Sequence, residues 1–170
     1  PELLSRLNHP GIISLLDYFV EGSDLVMALS FIEGENLDAV LQREGPMSPP
    51  AVRSMLGQLA LAVRHAHAQQ ILHRDIKPSN IIACERGGVY DVAKLLDFGL
   101  VQDLSAMGAE GDKLTMQGAI LGSPNFISPE QAAGKKLIDS RTDIYSLGAV
   151  AYFLVTGQTP FARETAMQLL

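Results

Sequence analysis

The stretch His73–Asn80, HRDIKPSN, constrains this chain more than any other part of its sequence. It places an acid (Asp75), a cation (Lys77) and an amide (Asn80) in one short segment, and a second acid follows in the motif Asp97-Phe98-Gly99. Side chains of these types can converge on a phosphoryl group and its metal ion, where positioning and charge neutralisation carry most of the catalysis. The two blocks therefore indicate phosphoryl transfer.

Two short apolar runs lie between the two blocks. Ile81–Cys84 and Val92–Leu96 predict buried strands, and Glu85–Gly88 between them predicts a hairpin turn. Because Asp97 leaves the second strand, the loops that hold the two blocks should lie at one end of the same small sheet.

The composition fits one folded domain of 170 residues, 47% of them hydrophobic. The net charge is −6 and the basic residues form no run, so a surface for nucleic acid or anionic membrane is not indicated. The chain has a single cysteine, Cys84, so an internal disulfide is excluded and a reducing cytoplasmic location is the default. We expect the Cys84 side chain to lie in the core. The longest apolar run, Ile144–Gly157, is shorter than the ~20 residues of a membrane span and predicts a buried core helix.

Periodicity, capping residues and turn residues predict the other elements. They are the tail of a helix over Pro1–Asn8, strands over Ile12–Val20 and Leu25–Phe31, a helix capped by Asn36 and continuing to about Arg43, a longer helix over Pro49–Gln69 capped by Ser48, and an apolar helix from Asp143 to Thr156.

Three histidines, His65, His67 and His73, could suggest a metal cluster. Two residues at i and i+2 of a helix point to different sides, so His65 and His67 cannot share a face. We expect partly buried or capping histidines rather than metal ligands.

The blocks HRDIKPSN and Asp97-Phe98-Gly99 resemble the signature of the protein kinase family, H-R-D-L-x-x-x-N followed by D-F-G, with Ile76 in place of Leu. The resemblance implies an α+β, protein-kinase-like two-lobed fold, truncated to the end of helix αC and the fourth and fifth strands of the small lobe plus helices αD to αF of the large lobe. Residues 1–32 would be a small-lobe remnant and hinge, and residues 33–170 the large lobe, truncated before αG. The presence of Lys77 in the catalytic-loop motif resembles the serine/threonine-directed branch of the family. The segments SPEQAAG and DIYSLGAV resemble those of bacterial members.

Roles follow from the resemblance position by position. Asp75 would orient a protein hydroxyl and accept its proton, and Lys77 would neutralise the transferring γ-phosphoryl group. Asn80 and Asp97 would hold Mg²⁺ against the phosphates of ATP, since carboxylate and amide oxygens suit a hard cation. ATP, Mg²⁺ and a protein substrate with Ser or Thr are the implied cofactors and partners.

The nucleotide contacts are implied by the same resemblance. Leu29 corresponds to the gatekeeper, with Ser30, Phe31 and Ile32 behind it in the hinge, and Ile82 would pack under the adenine ring. Many relatives have Glu at the position of Ser30, but that contact uses the backbone carbonyl. Taken alone, this segment also reads as an ordinary strand end.

Further residues would support the catalytic loop. His73 would pack in the core beneath it, and Asp143 would accept hydrogen bonds from its backbone, which a buried carboxylate requires. Arg74 would pair with a phosphate on the activation segment. Thr115 is the first candidate phosphosite, with Ser105 second, although both can be plain loop residues.

Residues 97–130 resemble the family's activation segment, closed by Gly122-Ser123-Pro124 and Ser128-Pro129-Glu130. Ser123 keeps the hydroxyl that relatives use to bind the catalytic Asp and Lys, and the arginine that pairs with Glu130 in relatives lies beyond Leu170. Upstream, the chain starts just after the position of the αC glutamate, without the glycine-rich loop or the lysine of the third strand. The isolated chain is therefore expected to be nearly inactive.

Two other functions remain open from the sequence. One is a pseudokinase-like binding module, which an altered Asp75, Asn80 or Asp97 would have indicated. The other is a small-molecule phosphotransferase of kinase-like fold, a class that typically lacks Lys at position 77 and the segment that docks a protein.

Overall fold

The computed structural model describes residues 4–86, 89–98, 124–135 and 138–161. These residues form five strands, four α-helices and single 3-10 turns at Leu4–Arg6, Pro78–Asn80 and Pro124–Phe126. The strands are β1 (Leu15–Glu21), β2 (Asp24–Leu29), β3 (Glu35–Asn36), β4 (Ile81–Arg86) and β5 (Val89–Leu95). The helices are α1 (Leu37–Glu44), α2 (Pro49–Ala68), α3 (Pro129–Ala132) and α4 (Arg141–Thr156).

Strands β1 and β2 form an antiparallel hairpin in which Glu21 pairs with Asp24. Gly22 in the turn has φ +65°, which favours glycine there. Both strands were predicted, but the first begins three residues later than expected. Ile12 instead forms an isolated parallel bridge with Leu95, and this bridge joins the hairpin to the second sheet.

The second sheet has the order β3-β4-β5 and is antiparallel, with Ile81 opposite Leu95. Both strands of the β4–β5 hairpin were predicted, but Glu85–Gly88 is not all turn. A register shift between Cys84 and Arg86 allows pairing to continue beyond Cys84, so residues 85 and 86 belong to β4. Residues 87 and 88 lie outside the described part of the chain.

Helix α1 begins as predicted, because Asn36 Oδ1 accepts a hydrogen bond from the Ala39 backbone N–H at 2.9 Å. Helix α2 also begins where expected, but Ser48 makes no side-chain capping bond. Pro50, in the second position of that helix, has no N–H to donate to it, which removes one of the two usual donors.

The predicted helix tail over Pro1–Asn8 is not α-helical in its described part. Residues Leu4–Arg6 form a single 3-10 turn, after which Leu7 enters the core. The spacing of apolar residues does not distinguish an α-helical turn from a 3-10 turn, and 3-10 turns are common at helix ends.

Helix α2 supplies the centre of the core and packs against β5 and α4. Its predicted apolar face is buried at Val52, Met55, Leu59, Val63 and Ala66.

Helix α4 forms as expected but buries one face only. Leu147, Val150 and Leu154 enter the core, whereas the Ile144 side chain is 57% exposed. The expectation of a wholly buried core helix is therefore wrong for the outer face, where Tyr152 and Val155 are also exposed. Among the described residues, no helix combines the length and apolar character that crossing a membrane would require.

Candidate active site

The loop between α2 and β4 brings together the acid, the cation and the amide of the HRDIKPSN stretch. Lys77 Nζ lies 2.7 Å from Asp75 Oδ2. Asn80 Nδ2 donates to the same Asp75 oxygen and to the Asp75 backbone carbonyl, both at 2.9 Å. The Asp75 side chain nevertheless stays 45% exposed. The loop thus presents an oriented carboxylate, with a cation beside it, to solvent.

The backbone of this loop is held by the buried carboxylate of Asp143 on α4. Asp143 Oδ2 accepts from the His73 N–H at 2.9 Å, and Oδ1 accepts from the Arg74 N–H at 2.8 Å. The hydrogen bonds expected for Asp143 are therefore present. His67 Nε2 on α2 donates to Oδ2 as well, at 2.7 Å, so helices α2 and α4 meet at this carboxylate.

His73 lies beneath the loop, 1% exposed, as predicted. Its Nε2 donates to the Leu96 carbonyl at 2.7 Å, and its Nδ1 accepts from the Asp75 N–H at 3.2 Å. This pattern requires the neutral ring with its proton on Nε2. Burial lowers the pKa of His73, against the opposing effect of Asp143, so the neutral form is favoured.

Asp97 follows β5 at the same end of the sheet as the loop. The Leu96 N–H donates to the Asn80 carbonyl at 2.9 Å. Because Asp97 is the next residue after Leu96, its backbone lies close to that of Asn80. Asp97 has φ +53° and is exposed, whereas Phe98 is buried with its ring centroid 4.6 Å from that of His73. The buried Phe98 thus leaves the Asp97 carboxylate at the surface of the site.

The donor set suits Mg²⁺. Asn80 Nδ2 is occupied by Asp75, so Asn80 Oδ1 is the oxygen that it can offer a cation, and Asp97 adds a carboxylate. Magnesium is commonly held by one or two protein oxygens together with substrate phosphates and water. The described residues contain no group of three His, Cys, Asp or Glu side chains suited to a metal. His67 and His73 have different partners, the Asp143 carboxylate and the Leu96 carbonyl.

Of the proposed nucleotide-contact residues, Leu29 lies next to residues that follow β5. Leu29 lines a small cavity of about 10 Å³ with Asp97 and Phe98, room for about one water molecule. The Ser30 N–H donates to the Ser14 carbonyl at 2.9 Å.

Between β2 and β3 the chain passes close to β4 at Gly34. A Cβ atom on Gly34 would lie 2.4 Å from the Ala83 carbonyl oxygen and 2.7 Å from Ile82 Cγ2. Only glycine fits at this distance, so Gly34 brings the segment between β2 and β3 against the strand that carries Ile82.

Three residues of the site were missed or undervalued by sequence reasoning. Asp38 lies in the first turn of α1, close enough to Lys77 for the two charges to interact. Burial raises the pKa of Asp38, and the positive charge of Lys77 opposes that rise. His67 contacts Asp143, and Gln131 of α3 donates to the Arg74 carbonyl at 2.8 Å. The contacts of His67 and Gln131 join residues 76 and 57 positions apart, so no local pattern could have identified them.

The remaining predicted residues have different outcomes. Gly99, Ser105, Thr115 and Ser123 lie outside the described residues. Glu130 is partly buried in the first turn of α3. Burial of Tyr145 raises the pKa of that residue, and the nearby charge of Glu130 raises it further.

Comparison with known proteins matches residues 1–169 to the family model described as "Protein kinase domain". The serine/threonine-protein kinase pkn3 of Myxococcus xanthus is 38% identical over 164 residues, which cover 96% of this chain and 30% of that protein. The serine/threonine-protein kinase PrkC of Bacillus subtilis is 36% identical, over 97% of this chain and 24% of that protein. This chain thus spans less than a third of the length of either relative.

Among solved structures, Rad53 residues 1–466 in complex with AMP-PNP superposes with a TM-score of 0.79 at 27% identity. The match covers 99% of this chain and 39% of that one. It confirms the predicted kinase-like fold and shows that the chain covers part of it.

Proposed function

Because the chain belongs to the protein kinase family, with serine/threonine-protein kinases as relatives, we propose that it carries the catalytic loop of an ATP-dependent protein kinase. The reaction would transfer the γ-phosphoryl group of ATP to Ser or Thr hydroxyls of proteins. The observation that carries this proposal is the convergence of Asp75, Lys77 and Asn80 in one loop.

Asp75 is the residue for the incoming hydroxyl. Its carboxylate is exposed and its direction is fixed by Asn80 Nδ2, so it can accept a hydrogen bond from the hydroxyl and then its proton. Because the Asn80 bond uses only one oxygen, the other remains for the substrate.

Lys77 is placed to neutralise charge on the transferring group. Its ammonium lies 2.7 Å from Asp75 Oδ2, the Lys77 side chain is 19% exposed, and the Asp38 carboxyl is close enough to interact with its charge. These two carboxylates keep the cation within the site, so it need not be brought in from solvent when the phosphates bind.

Asn80 and Asp97 would hold Mg²⁺, which supplies charge neutralisation at the phosphates when bound. The β4–β5 pairing fixes both residues at one strand end. For the adenine we propose Leu29, Ser30, Ile32 and Ile82, supported by the likeness to Rad53 in complex with AMP-PNP.

The division into a small-lobe part (residues 1–32) and a large-lobe part (33–170) belongs to the same proposal. It is supported by two separate sheets, β1-β2 and β3-β4-β5, with the close passage of Gly34 against β4 between them. Thr115 and Ser123 keep their proposed roles as phosphosite and hydroxyl partner of the catalytic loop.

The test is phosphate transfer from labelled ATP by the full-length protein and its Asp75→Asn variant. We expect kcat to fall by about 100-fold or more, since a positioned general base contributes on the order of 10²–10⁴. The matched control is Asp17→Asn, an exposed carboxylate on β1 that accepts from its neighbour Tyr18. Equal transfer by Asp75→Asn and Asp17→Asn would reject the role of Asp75. ATP binding without transfer in the wild type would favour the binding-module alternative.

A further inference from the structure

Gln131 has one side chain that joins three parts of the chain. Its Nε2 donates to the Arg74 carbonyl at 2.8 Å, and its Oε1 accepts from Thr142 Oγ1 at 2.7 Å and from the Ser128 N–H at 3.3 Å. A carbonyl can only accept and an N–H can only donate, so these partners fix which end of the amide faces which group. The amide thus connects α3, the start of α4 and the catalytic loop.

The residue that it contacts in the loop is conformationally strained. Arg74 has φ +68°, a left-handed conformation that persists in a non-glycine residue only when the surroundings hold it. Asp143 holds the peptide group before Arg74, through the N–H, and Gln131 holds the peptide group after it, through the carbonyl. That second peptide group leads directly into Asp75, so its orientation sets the direction of the Asp75 side chain.

The residues that surround Gln131 on α3 and at the start of α4 are themselves tightly packed. Ser128 and Thr142 are fully buried, and their hydroxyls are hydrogen-bonded to each other. Ser146 Oγ on α4 donates to the Phe126 carbonyl at 2.7 Å. Residues 126–132 are therefore fixed on α4, and the Gln131 amide is held in place before any substrate binds.

We propose that Gln131 is a positioning residue for Asp75, acting through the Arg74 carbonyl; this inference rests on the function proposed above. Its consequence is that the orientation of the proposed catalytic carboxylate depends on the packing of residues 126–132 against α4. Loosening that packing would lower the rate of transfer although no group that touches the substrate has changed.

The test variant is Gln131→Glu, which keeps the shape and the acceptor oxygen but replaces the donor with a carboxylate oxygen. In the full-length protein we expect kcat to fall about tenfold, with KM for ATP within about twofold of wild type. The deficit relative to wild type should shrink as the pH falls from about 8 to about 6, because a protonated carboxyl can again donate to the Arg74 carbonyl. The control is Gln42→Glu, which makes the same charge change on the exposed face of α1 and should leave kcat unchanged.

A second measurement reports on the link itself. Amide hydrogen exchange at His73, Arg74 and Asp75 should accelerate in Gln131→Glu and stay at the wild-type rate in Gln42→Glu. Thr142→Val, which removes a donor to Gln131 Oε1, should have an effect that is not additive with Gln131→Glu.

Two results would overturn the proposal: a kcat for Gln131→Glu equal to that of the control, or a loss that does not change with pH and is accompanied by wild-type exchange in the loop. If the wild type transfers no phosphate, the proposed function fails independently. The exchange rates would then still decide whether Gln131 holds the loop.

Discussion

At the scale of single residues, the site depends on a few buried polar groups with complete sets of partners. Asp143 is fully buried and accepts from His73, Arg74 and His67. A buried carboxylate is costly unless several donors satisfy it, and here the donors come from the loop between α2 and β4 and from α2. The group that costs most to bury thereby fixes the backbone that carries Asp75.

His73 leads to a prediction on pH. Its pKa is lowered in the folded protein, mainly by burial, so below its usual value of 6.5 the unfolded chain takes up a proton more readily than the folded one. The contribution of His73 to the free energy of unfolding is therefore complete above pH ~6.5 and is lost progressively as the pH falls below it. Urea unfolding across this range should show the loss.

NMR of the His73 ring provides the direct check. We expect a neutral ring with its proton on Nε2 at neutral pH, titrating below 6.5. A ring that titrates at or above 6.5, or that carries its proton on Nδ1, would contradict the hydrogen bonds described here.

At the scale of elements, close backbone approach matters more than helix or strand propensity. The segment between β2 and β3 reaches β4 only because Gly34 lacks a side chain. Strand pairing also positions two residues of the site. Because Ile81 pairs with Leu95, Asn80 and Asp97 lie at the same end of the β4–β5 hairpin.

Two glycine substitutions should therefore have opposite effects. Gly34→Ala would place a Cβ atom 2.4 Å from a backbone oxygen, and we expect it to lower the free energy of unfolding by about 1–3 kcal/mol. Gly57→Ala, in α2 with open space around it, should raise that free energy by about 0.5–1 kcal/mol. Chemical denaturation measures both, and a Gly34→Ala protein as stable as Gly57→Ala would refute the close approach.

The same elements show what the sequence could supply. The gathering of Asp75, Lys77 and Asn80 in one loop, the Asn36 cap and the buried face of α2 were predictable because each depends on residues close together in the chain. The contacts of His67 with Asp143 and of Gln131 with Arg74 were not, because they arise only when α2, α3 and α4 pack together. Residues Leu4–Arg6 form a 3-10 turn where an α-helix was predicted, because the spacing of apolar residues does not distinguish the two helix types.

At the scale of the whole molecule, the described chain leaves two apolar faces open. On β1, Leu16 is 67% exposed and Val20 69%; on α4, Ile144, Tyr152 and Val155 are exposed. Contiguous exposed apolar surface is uncommon on a monomeric soluble protein and marks a contact surface or an aggregation liability.

We therefore expect this 170-residue chain to bind a hydrophobic dye more strongly than a variant in which Leu16→Gln and Val20→Thr are combined. The paired change should lower dye fluorescence with little loss of stability, since neither side chain is in the core. Equal fluorescence from both proteins would show that the β1 face is covered in solution.

In the proposed function, one loop carries the chemistry, with Asp75 as its proton acceptor. Single-turnover transfer from ATP, measured by rapid quench in the full-length protein, isolates the chemical step from product release. We expect Asp75→Asn to lower this rate by about 100-fold or more while ATP binding persists. A single-turnover rate in Asp75→Asn equal to that of the wild type would contradict it.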